Sequence, residues 1–361
     1  MSFNYIGSKK GLIDFIDIPI KKIIDKNGKN LTFFDGFAGT GIVGQSFHNK
    51  YNFKIIANDM EYYSYIINYA LLCSVYSDKL EKIINELNKE LDDDMIEKNI
   101  MDYQLISLNY SLNGDMKRMF WTGSNAVKCD YIVYRIKTML NNNTIVENEY
   151  NFLMASLLSA MDKRANTASV YGAFLKKFKE SSKKDLMLIP IHTNKNLNPN
   201  NMVYNLDINS NIIYNEQYDI CYLDPPYNNR QYSANYFPLN YIAKYGDNLV
   251  INDKTKTGLL INYNRSKYSQ SSDALKMFNN LITNLKTKHI LLSYNNEGIM
   301  KLDDIKKTLT VNGKVILYKK IYKKFKSNIN QQNETVYEYL FHLEKSNEQS
   351  YDEIIINNLN I

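Results

Sequence analysis

An aspartate, two prolines and a tyrosine follow directly after an apolar run in the stretch CYLDPPY, residues 221–227. The carboxylate of Asp224 and the carbonyl of Pro225 can accept the two N–H bonds of an aromatic amine and stabilise positive charge on its nitrogen. Proline has no N–H and fixes φ at about −65°, so Pro225 and Pro226 hold that carbonyl rigidly outward. Tyr227 offers a flat ring on which a base can stack. The alternative is a strand that simply ends at the prolines, with Tyr227 covering the core.

A second motif, DGFAGTG at residues 35–41, places an acid at the end of an apolar segment and glycines behind it. Gly36, Gly39 and Gly41 allow a tight turn into a helix whose first N–H groups are unpaired. Asp59 ends the next apolar segment, where an acid suits a ribose diol. The spacing GxxGxG differs from the dinucleotide pattern GxGxxG, and an acid suits an ammonium and a sulfonium better than a pyrophosphate. The motif therefore favours S-adenosylmethionine (SAM), with an ordinary strand-turn-helix joint as the alternative.

The elements that must position these motifs follow a β-α-β-α order. The pattern predicts strands at residues 30–35 and 53–59, each ending in an acid, and helices at 42–49 and 60–76. This order is typical of a doubly wound, mostly parallel α/β sheet. Further strands are predicted at MVYNLD, YDICYLD and HILLSY. A period-two alternation around a polar loop predicts a C-terminal antiparallel hairpin over residues 314–345.

The middle of the chain has a different character and is interpreted as an insertion. Residues 78–200 are predicted to be largely helical. The predicted helices lie at residues 79–91, 124–140 and 147–162. Residues 1–77 and 201–345 then form the domain that carries the motifs. The Asn-rich tail, residues 346–361, is expected to be poorly ordered.

The composition restricts the class of protein. The chain has 361 residues, of which 44% are apolar and 23% charged, and a formal net charge of +6. Three scattered cysteines and four scattered histidines indicate neither disulfides nor a metal site. The N-terminus becomes charged too early for a signal peptide, and the apolar residues 62–76 fall short of the roughly 20 that span a bilayer. A reducing cytoplasm fits this composition, and no membrane contact is expected. We also expect a monomer.

The order of the motifs resembles that of the alpha-class, Dam-like adenine-N6 DNA methyltransferases, which carry DPPY behind their cofactor motifs. YIGSKKGLI at residues 5–13 is similar to the N-terminal cofactor motif of that class, and FFDGFAGTG to its FxGxG motif. NDME and NLDI are similar to its ribose and cofactor-adenine motifs. The likeness spans residues 3–343. The stretches FWTGSNAVKCDYIVYRI, AMDKRANTASVYGAFLKKFK and LLSYNNEG resemble a subgroup from restriction-modification systems.

The resemblance implies a Rossmann-like methyltransferase fold, SAM as cofactor, no metal, and an inserted target-recognition region at residues 78–200. It implies that Asp224, Pro225, Pro226 and Tyr227 form the catalytic group. The residues implied to bind the cofactor are Tyr5, Gly7, Ser8 and Lys9 (methionine part), Asp35, Phe37, Ala38, Gly39, Thr40 and Gly41 (floor), Asp59 and Met60 (ribose), and Asp207 (adenine amine).

Basic residues cluster in two places and are typical of phosphate contacts, although a solvated charged face is an equally good interpretation of each cluster. The candidates for DNA binding are Lys163, Arg164, Lys176, Lys177, Lys323 and Lys324, together with Arg230, Gln231 and Tyr232 behind the catalytic motif. Packing of the loop with Arg230 against the fold is the alternative there. Met116, Phe120 and Trp121 are interpreted as core rather than as a wedge between bases.

These observations predict an enzyme that flips an adenine out of duplex DNA and methylates its N6, as the modification half of a restriction-modification system with a possible cognate endonuclease. Methylation of adenine in RNA is the first alternative, because the amine chemistry is the same. A non-catalytic DNA-binding module is the second, and the intact cofactor motifs speak against it. A nicotinamide-linked oxidoreductase comes last, given the glycine spacing.

Overall fold

The computed structural model describes residue 3 and residues 5–91, 103–322 and 336–356. The chain divides into two compact units. One, here called the sheet unit, comprises Lys9–Met60, Tyr204–Gln231 and Arg265–Ile361. The other, the helical unit, comprises Met1–Ser8, Glu61–Val203 and Tyr232–Asn264.

Twelve helices and eight strands lie within the described residues. The strands are β1 (Thr32–Asp35), β2 (Lys54–Asn58), β3 (Met202–Tyr204), β4 (Gln217–Leu223), β5 (Lys286–Asn295), β6 (Gly313–Tyr322), β7 (Val336–Lys345) and β8 (Ser350–Ile356). The helices are α1 (Ile13–Asn27), α2 (Ile42–Tyr51), α3 (Tyr62–Cys73), α4 (Asp78–Glu90), α5 (Leu105–Tyr110), α6 (Gly123–Asn141), α7 (Glu147–Arg164), α8 (Glu180–Lys183), α9 (Asn211–Asn215), α10 (Tyr232–Lys244), α11 (Ala274–Asn284) and α12 (Leu302–Thr310). A short 3-10 turn, Lys9–Leu12, leads into α1.

The strands form one sheet in the order β3-β2-β1-β4-β5-β7-β6-β8. Strand β1 runs parallel to β2 and β4, and β4 runs parallel to β5. Strand β7 lies antiparallel between β5 and β6 and forms the C-terminal hairpin with β6. The predicted doubly wound, mostly parallel sheet with an antiparallel hairpin is confirmed.

The parallel strands are apolar on both faces because helices cover both sides of the sheet. Phe33 and Phe34 of β1 point to opposite faces, and both are completely buried. Phe34 belongs to the core cluster that includes Phe278 of α11 and Ile305 of α12. Phe33 lies against the ring of Phe47 in α2, at 5.4 Å between centroids. The carboxyl ends of β1, β2 and β4 are therefore fixed side by side.

The helical unit is larger than the predicted insertion at residues 78–200, because α3 and residues 232–264 also belong to it. Its core contains Phe120 and Trp121, both completely buried as predicted. The indole N–H of Trp121 donates to the carbonyl of Met161 at 2.9 Å. The same expectation was wrong for Met116, whose exposed fraction is 48%.

The C-terminal tail differs from its prediction. Residues Ser350–Ile356 form β8, which pairs in parallel with β6 at the sheet edge. The expectation of a poorly ordered tail was therefore wrong for these residues, because exposed backbone N–H and C=O groups on β6 give them strand partners. Residues 357–361 lie outside the described part of the chain. Among the described residues, no helix combines the length and the apolar character needed to cross a membrane.

Two buried histidines face each other on neighbouring strands of the sheet. The Nδ1 atom of His289 in β5 lies 3.1 Å from the Nε2 atom of His342 in β7. The pKa of His342 is lowered to about 3, mainly by burial and also by the nearby His289, Lys22 and Lys26, while Glu344 opposes them. Both imidazoles are therefore neutral in the folded protein at neutral pH.

We predict that this pair makes the sheet unit acid-sensitive. An unfolded histidine has a pKa of about 6.5, whereas His342 in the fold has one of about 3. Between these values the unfolded chain binds more protons, so the free energy of unfolding falls as the pH falls through that window. Denaturant titrations at pH 7, 6, 5 and 4 should give a smaller decrease for His342→Gln than for the wild type. His192→Gln, in the helical unit, should retain most of the decrease, and an unchanged slope in His342→Gln would contradict the prediction.

Candidate active site

The carboxylate of Asp224 stands at the carboxyl end of β4, immediately after the buried Leu223. Its Oδ2 atom forms an ion pair with Nζ of Lys9 at 2.8 Å. Its Oδ1 atom accepts a hydrogen bond from the hydroxyl of Tyr227 at 2.7 Å. Lys9 is only 5% exposed, so this ion pair is screened from solvent and fixes the orientation of the carboxylate.

The ring of Tyr227 is held on two sides. It packs edge to face against Tyr294 at 4.9 Å between centroids. The ammonium of Lys9 lies 5.0 Å from its centroid. Burial, and then the charge of Asp224, raise the pKa of the Tyr227 hydroxyl well above its ordinary value, so it acts as a hydrogen-bond donor. Pro225 is buried beside it and Pro226 is half-buried.

The glycine-rich turn after β1 is tied to the ends of both neighbouring strands. The N–H of Gly36 donates to the carbonyl of Tyr222 in β4 at 3.0 Å, and the N–H of Ala38 to the carbonyl of Asn58 in β2 at 3.0 Å. Gly39 and Gly41 have positive φ angles of 51° and 77°, which glycine adopts without steric cost. The turn is thus fixed at the edge where the strands end.

Asp35 is buried beneath this turn, with an exposed fraction of 1%. Its Oδ2 atom accepts the N–H of Gly44 at 3.0 Å. The pKa of Asp35 is raised to about 7, mainly by burial; the N–H of Gly44 lowers it, and the charges of Asp224 and Asp59 raise it. Three carboxylates therefore interact electrostatically at this edge of the sheet, which makes it an environment that favours a cation.

Asp59 also holds the glycine turn, because its Oδ2 atom accepts the N–H of Gly39 at 2.8 Å. Its backbone carbonyl accepts a hydrogen bond from the Asn205 side chain at 2.9 Å. The neighbouring Asn58 is buried and donates to the carbonyls of Gly36 and Leu206, at 3.3 and 3.2 Å. Asn58 is a positioning residue that the sequence did not single out; its place beside the motif acid was the available indication.

The other predicted cofactor residues of the sheet unit surround the same turn or follow it. Phe37 is half-buried and packs edge to face against Tyr268 at 5.1 Å between centroids. Thr40 and Met60 are half-buried. Asp207 is exposed, and its Oδ1 atom accepts the N–H of Asn209 at 2.9 Å. That bond shapes the turn after β3 and leaves the carboxylate at the surface.

In the helical unit, the predicted cofactor residues Tyr5 and Gly7 pack against the start of α10. The ring of Tyr5 stacks on Tyr236 at 4.8 Å and lies 5.7 Å from the ring of Tyr232. The hydroxyl of Tyr236 accepts the N–H of Ile6 at 2.8 Å. Gly7 and Ser8 are exposed, and a Cβ atom on Gly7 would lie 3.1 Å from the hydroxyl of Tyr232. Tyr232, predicted to contact DNA, here supports the segment predicted to bind cofactor.

The residues predicted to bind DNA differ in the exposure of their side chains and in their hydrogen bonds within the protein. The Gln231 side chain bonds the backbone of Ser266 through both its amide nitrogen, at 3.1 Å, and its oxygen, at 2.7 Å. Arg230, Lys176 and Lys177 are exposed, and Lys163 and Arg164 are half-buried. Lys323 and Lys324 lie outside the described residues. Among the residues that the structure does describe, no cluster of three His, Cys, Asp or Glu side chains could hold a metal ion.

Residues 5–308 match the family described as D12 class N6 adenine-specific DNA methyltransferase. The chain belongs to this family. The family match confirms the predicted resemblance and the predicted activity, methylation of N6 of adenine in DNA. Such an enzyme requires a methyl donor.

Named relatives agree with the family. The chain is 40% identical over 350 residues to the type II methyltransferase M.NlaIII of Neisseria lactamica, covering 95% of this chain and 99% of that protein. It is 36% identical over 340 residues to the type II methyltransferase M.CviAII of Paramecium bursaria Chlorella virus 1, covering 93% and 97%. It is 34% identical over 350 residues to the type II methyltransferase M.FokI of Planomicrobium okeanokoites, covering 94% of this chain but 52% of that protein.

Gly36 allows the close packing on which the glycine turn depends, and we predict that Gly36→Ala destabilises the sheet unit. A Cβ atom there would lie 2.6 Å from Cδ1 of Ile208 and 3.0 Å from Cδ2 of Leu223. Overpacking of this kind lowers the free energy of unfolding by about 1–3 kcal/mol. Gly11→Ala is the control, since a Cβ there meets no atom within 4 Å. Denaturant unfolding of both variants measures the difference; equal stabilities would disprove the packing argument.

Tyr227→Phe tests the hydroxyl that orients Asp224. The variant keeps the ring but loses the 2.7 Å bond to Oδ1. Since a hydrogen bond to a charged group contributes roughly 1.5–3 kcal/mol, we expect kcat to fall by about tenfold or more, with unchanged binding of the methyl donor. Steady-state kinetics and a binding titration test both parts. Tyr337→Phe, on the half-buried start of β7, should retain wild-type kcat.

Proposed function

We propose that the protein transfers a methyl group from SAM to N6 of an adenine flipped out of duplex DNA at a specific sequence. We further propose that it is the modification half of a restriction-modification system. The observation that carries the chemistry is the Asp224 carboxylate, oriented by Lys9 at 2.8 Å and Tyr227 at 2.7 Å. The restriction-modification assignment is supported by relatives that are named type II methyltransferases or modification methylases.

The residues at the edge of the sheet fit a cationic methyl donor. Burial, together with the charges of Asp224 and Asp59, raises the pKa of Asp35 to about 7, so this edge of the sheet favours a positively charged group. SAM carries an ammonium and a sulfonium, and when bound it supplies an electrophilic methyl group. In this assignment Asp35 and the glycine turn bind the donor, and Asp59 binds its ribose while it holds the N–H of Gly39.

The catalytic motif activates the acceptor. The lone pair of an adenine amine is delocalised into the ring, so the nitrogen is a weak nucleophile. Asp224 and the carbonyl of Pro225 accept its two N–H bonds and stabilise the positive charge that develops as the nitrogen forms its bond to the methyl carbon. The bond between that carbon and the donor sulfur would break in the same step, leaving a neutral thioether. The nitrogen then passes one proton to the Asp224 carboxylate, and from there to solvent, which restores a neutral amine. Because a stacked base cannot reach this group, flipping of the adenine is required.

DNA contacts are assigned to exposed basic side chains. Lys176, Lys177 and Arg230 are exposed and available for phosphates. Residues 78–200 are proposed to recognise the target sequence. A cognate endonuclease, a cytoplasmic location and a monomeric state stay predictions.

The decisive experiment supplies the purified enzyme with methyl-labelled SAM and, in parallel, duplex DNA or RNA. Label in the DNA, released as N6-methyladenine, is the expected result. Label in RNA alone would favour the alternative function, and binding of DNA without label transfer would favour a non-catalytic module. Mapping N6-methyladenine in the genome of a host that expresses the protein then identifies the target sequence.

We predict that Asp224→Ala abolishes methylation while SAM still binds. The substitution removes the acceptor for the N6 proton but leaves Asp35 and the glycine turn in place. Asp224→Asn, which keeps the shape of the side chain, should lose at least about a hundredfold in kcat, the usual contribution of a positioned proton acceptor. Asp303→Ala removes an exposed carboxylate of the same unit and should be fully active. Turnover by Asp224→Ala would refute the assignment of this residue.

A further inference from the structure

A second acid of the sheet unit, Glu338 in β7, lies near the catalytic carboxylate. Strand register places it there: Leu223, the residue before Asp224, pairs with Leu292 of β5, and Glu338 pairs with Asn295 at the end of the same strand. Glu338 and Asp224 are thus at the same end of the sheet. The chemistry proposed above assigns no role to Glu338.

Both acids lie near Tyr222 of β4, because the charges of Asp224 and Glu338 each raise the pKa of its hydroxyl. That hydroxyl bonds Ser293 of β5 at 2.8 Å. Asn295 points the same way as Ser293, and Glu338 is its cross-strand partner. The side chains of Leu223 and Leu292 belong to the core cluster on the opposite face.

Lys9 interacts electrostatically with both acids. Its ammonium pairs directly with Asp224 at 2.8 Å. Burial raises the pKa of Glu338 to about 7; Lys9 lowers it and Asp224 raises it. The other titratable groups that face Glu338 are Tyr222 and Tyr227 and its cross-strand partner on β6, Lys320. The buried ammonium of Lys9 is therefore attracted by the carboxylates of both Asp224 and Glu338.

The ion pair between Lys9 and Asp224 uses the carboxylate that the adenine amine needs as its hydrogen-bond acceptor. The Asp224 oxygens already accept hydrogen bonds from Lys9 and Tyr227. An adenine amine that donates to this carboxylate competes with the ammonium of Lys9. Displacement of that ammonium from Asp224 would remove an anion that offsets the cost of burying its charge, and this loss is costly.

We propose that Glu338 is a positioning residue that receives the ammonium of Lys9 when the target amine takes its place on Asp224. This inference rests on the proposed function and adds a step to it. In the absence of a base, the ammonium of Lys9 pairs with the Asp224 carboxylate. When the base enters, the ammonium pairs with the Glu338 carboxylate instead. The exchange forms no covalent bond and transfers no proton.

The exchange requires an ionised Glu338. Since the pKa of Glu338 is about 7, its carboxylate is available above that pH and is protonated below it. At saturating SAM, kcat/KM for DNA should therefore rise with pH through about 7. The Gln side chain resembles the protonated acid, so Glu338→Gln should match the wild type at pH 6 and remain low at pH 8. Asp35, whose pKa is also about 7, is followed separately by SAM binding at each pH.

The test compares kcat/KM for the mapped DNA target in the wild type, Glu338→Gln, Lys9→Met and the double variant, between pH 6 and 8. Glu338→Gln should lose about tenfold at pH 8, roughly the effect of one charge-assisted hydrogen bond, with unchanged SAM affinity. Glu338→Asp should recover part of the loss. In the Lys9→Met background, Glu338→Gln should add no further loss, because no ammonium then needs a second partner. Glu344→Gln, on the same strand, should behave as the wild type.

Several outcomes overturn the inference. It is overturned if Glu338→Gln keeps the wild-type kcat/KM and its rise with pH through about 7. It is also overturned if Glu338→Gln lowers kcat/KM as much in the Lys9→Met background as in the wild type. If Glu338→Gln does not fold, as thermal unfolding would reveal, the pH profile of Glu338→Asp decides, and a profile identical to that of the wild type counts against the exchange. A wild-type enzyme that methylates no DNA would refute the proposed function itself.

Discussion

Asp59 and Asp224 each repel Asp35 at one end of the sheet, because β1, β2 and β4 run parallel and side by side. Burial of Asp35 strengthens this repulsion, and both neighbours raise its pKa further. Hydrogen bonds from the glycine turn and from the start of α2 offset part of the cost, because Gly39 and Gly44 each donate an N–H to one of the acids. An edge that carries these acids favours a positively charged group. The rest of the sheet unit serves to keep these three groups together.

Local patterns were sufficient to predict the strands and the acids at their ends. The segments around β1, β2 and β4 are short apolar runs, and an acid behind each run marks the point where the strand leaves the core. Parallel order follows from the helices between them. Asp35, Asp59 and Asp224 could therefore be placed at one edge without knowledge of any contact. The helical insertion at residues 78–200 stays a prediction of the same kind.

Contacts between distant residues could not be predicted in the same way. Nothing in the sequence around Lys9 indicates that its ammonium pairs with Asp224, 215 positions later, rather than with a cofactor. Glu338 alternates with apolar residues in a hairpin, a pattern that predicts an exposed polar face. Met116 was misplaced because apolar character alone does not decide which residues of a loop are buried.

The tail was misjudged for a related reason. Its composition is polar, and composition indicates whether a segment can build its own core. Strand β8 needs no core of its own, because it pairs with β6 along seven residues from Ser350 to Ile356. Backbone hydrogen bonds to an existing strand substitute for apolar burial at an edge. Such pairing depends on a partner that only the folded sheet provides.

The strand order has a consequence for how the chain emerges from the ribosome. Strand β6 is synthesised before β7, yet β7 lies between β5 and β6 in the sheet. Until β7 has been made, β5 presents an unpaired edge and β6 lacks the strand that joins it to the sheet. At a synthesis rate of roughly 5–20 residues per second, the nascent protein passes through this state during every round of translation. Chains released before β7 is complete expose an edge that can pair with other strands, so complete translation protects the enzyme from aggregation.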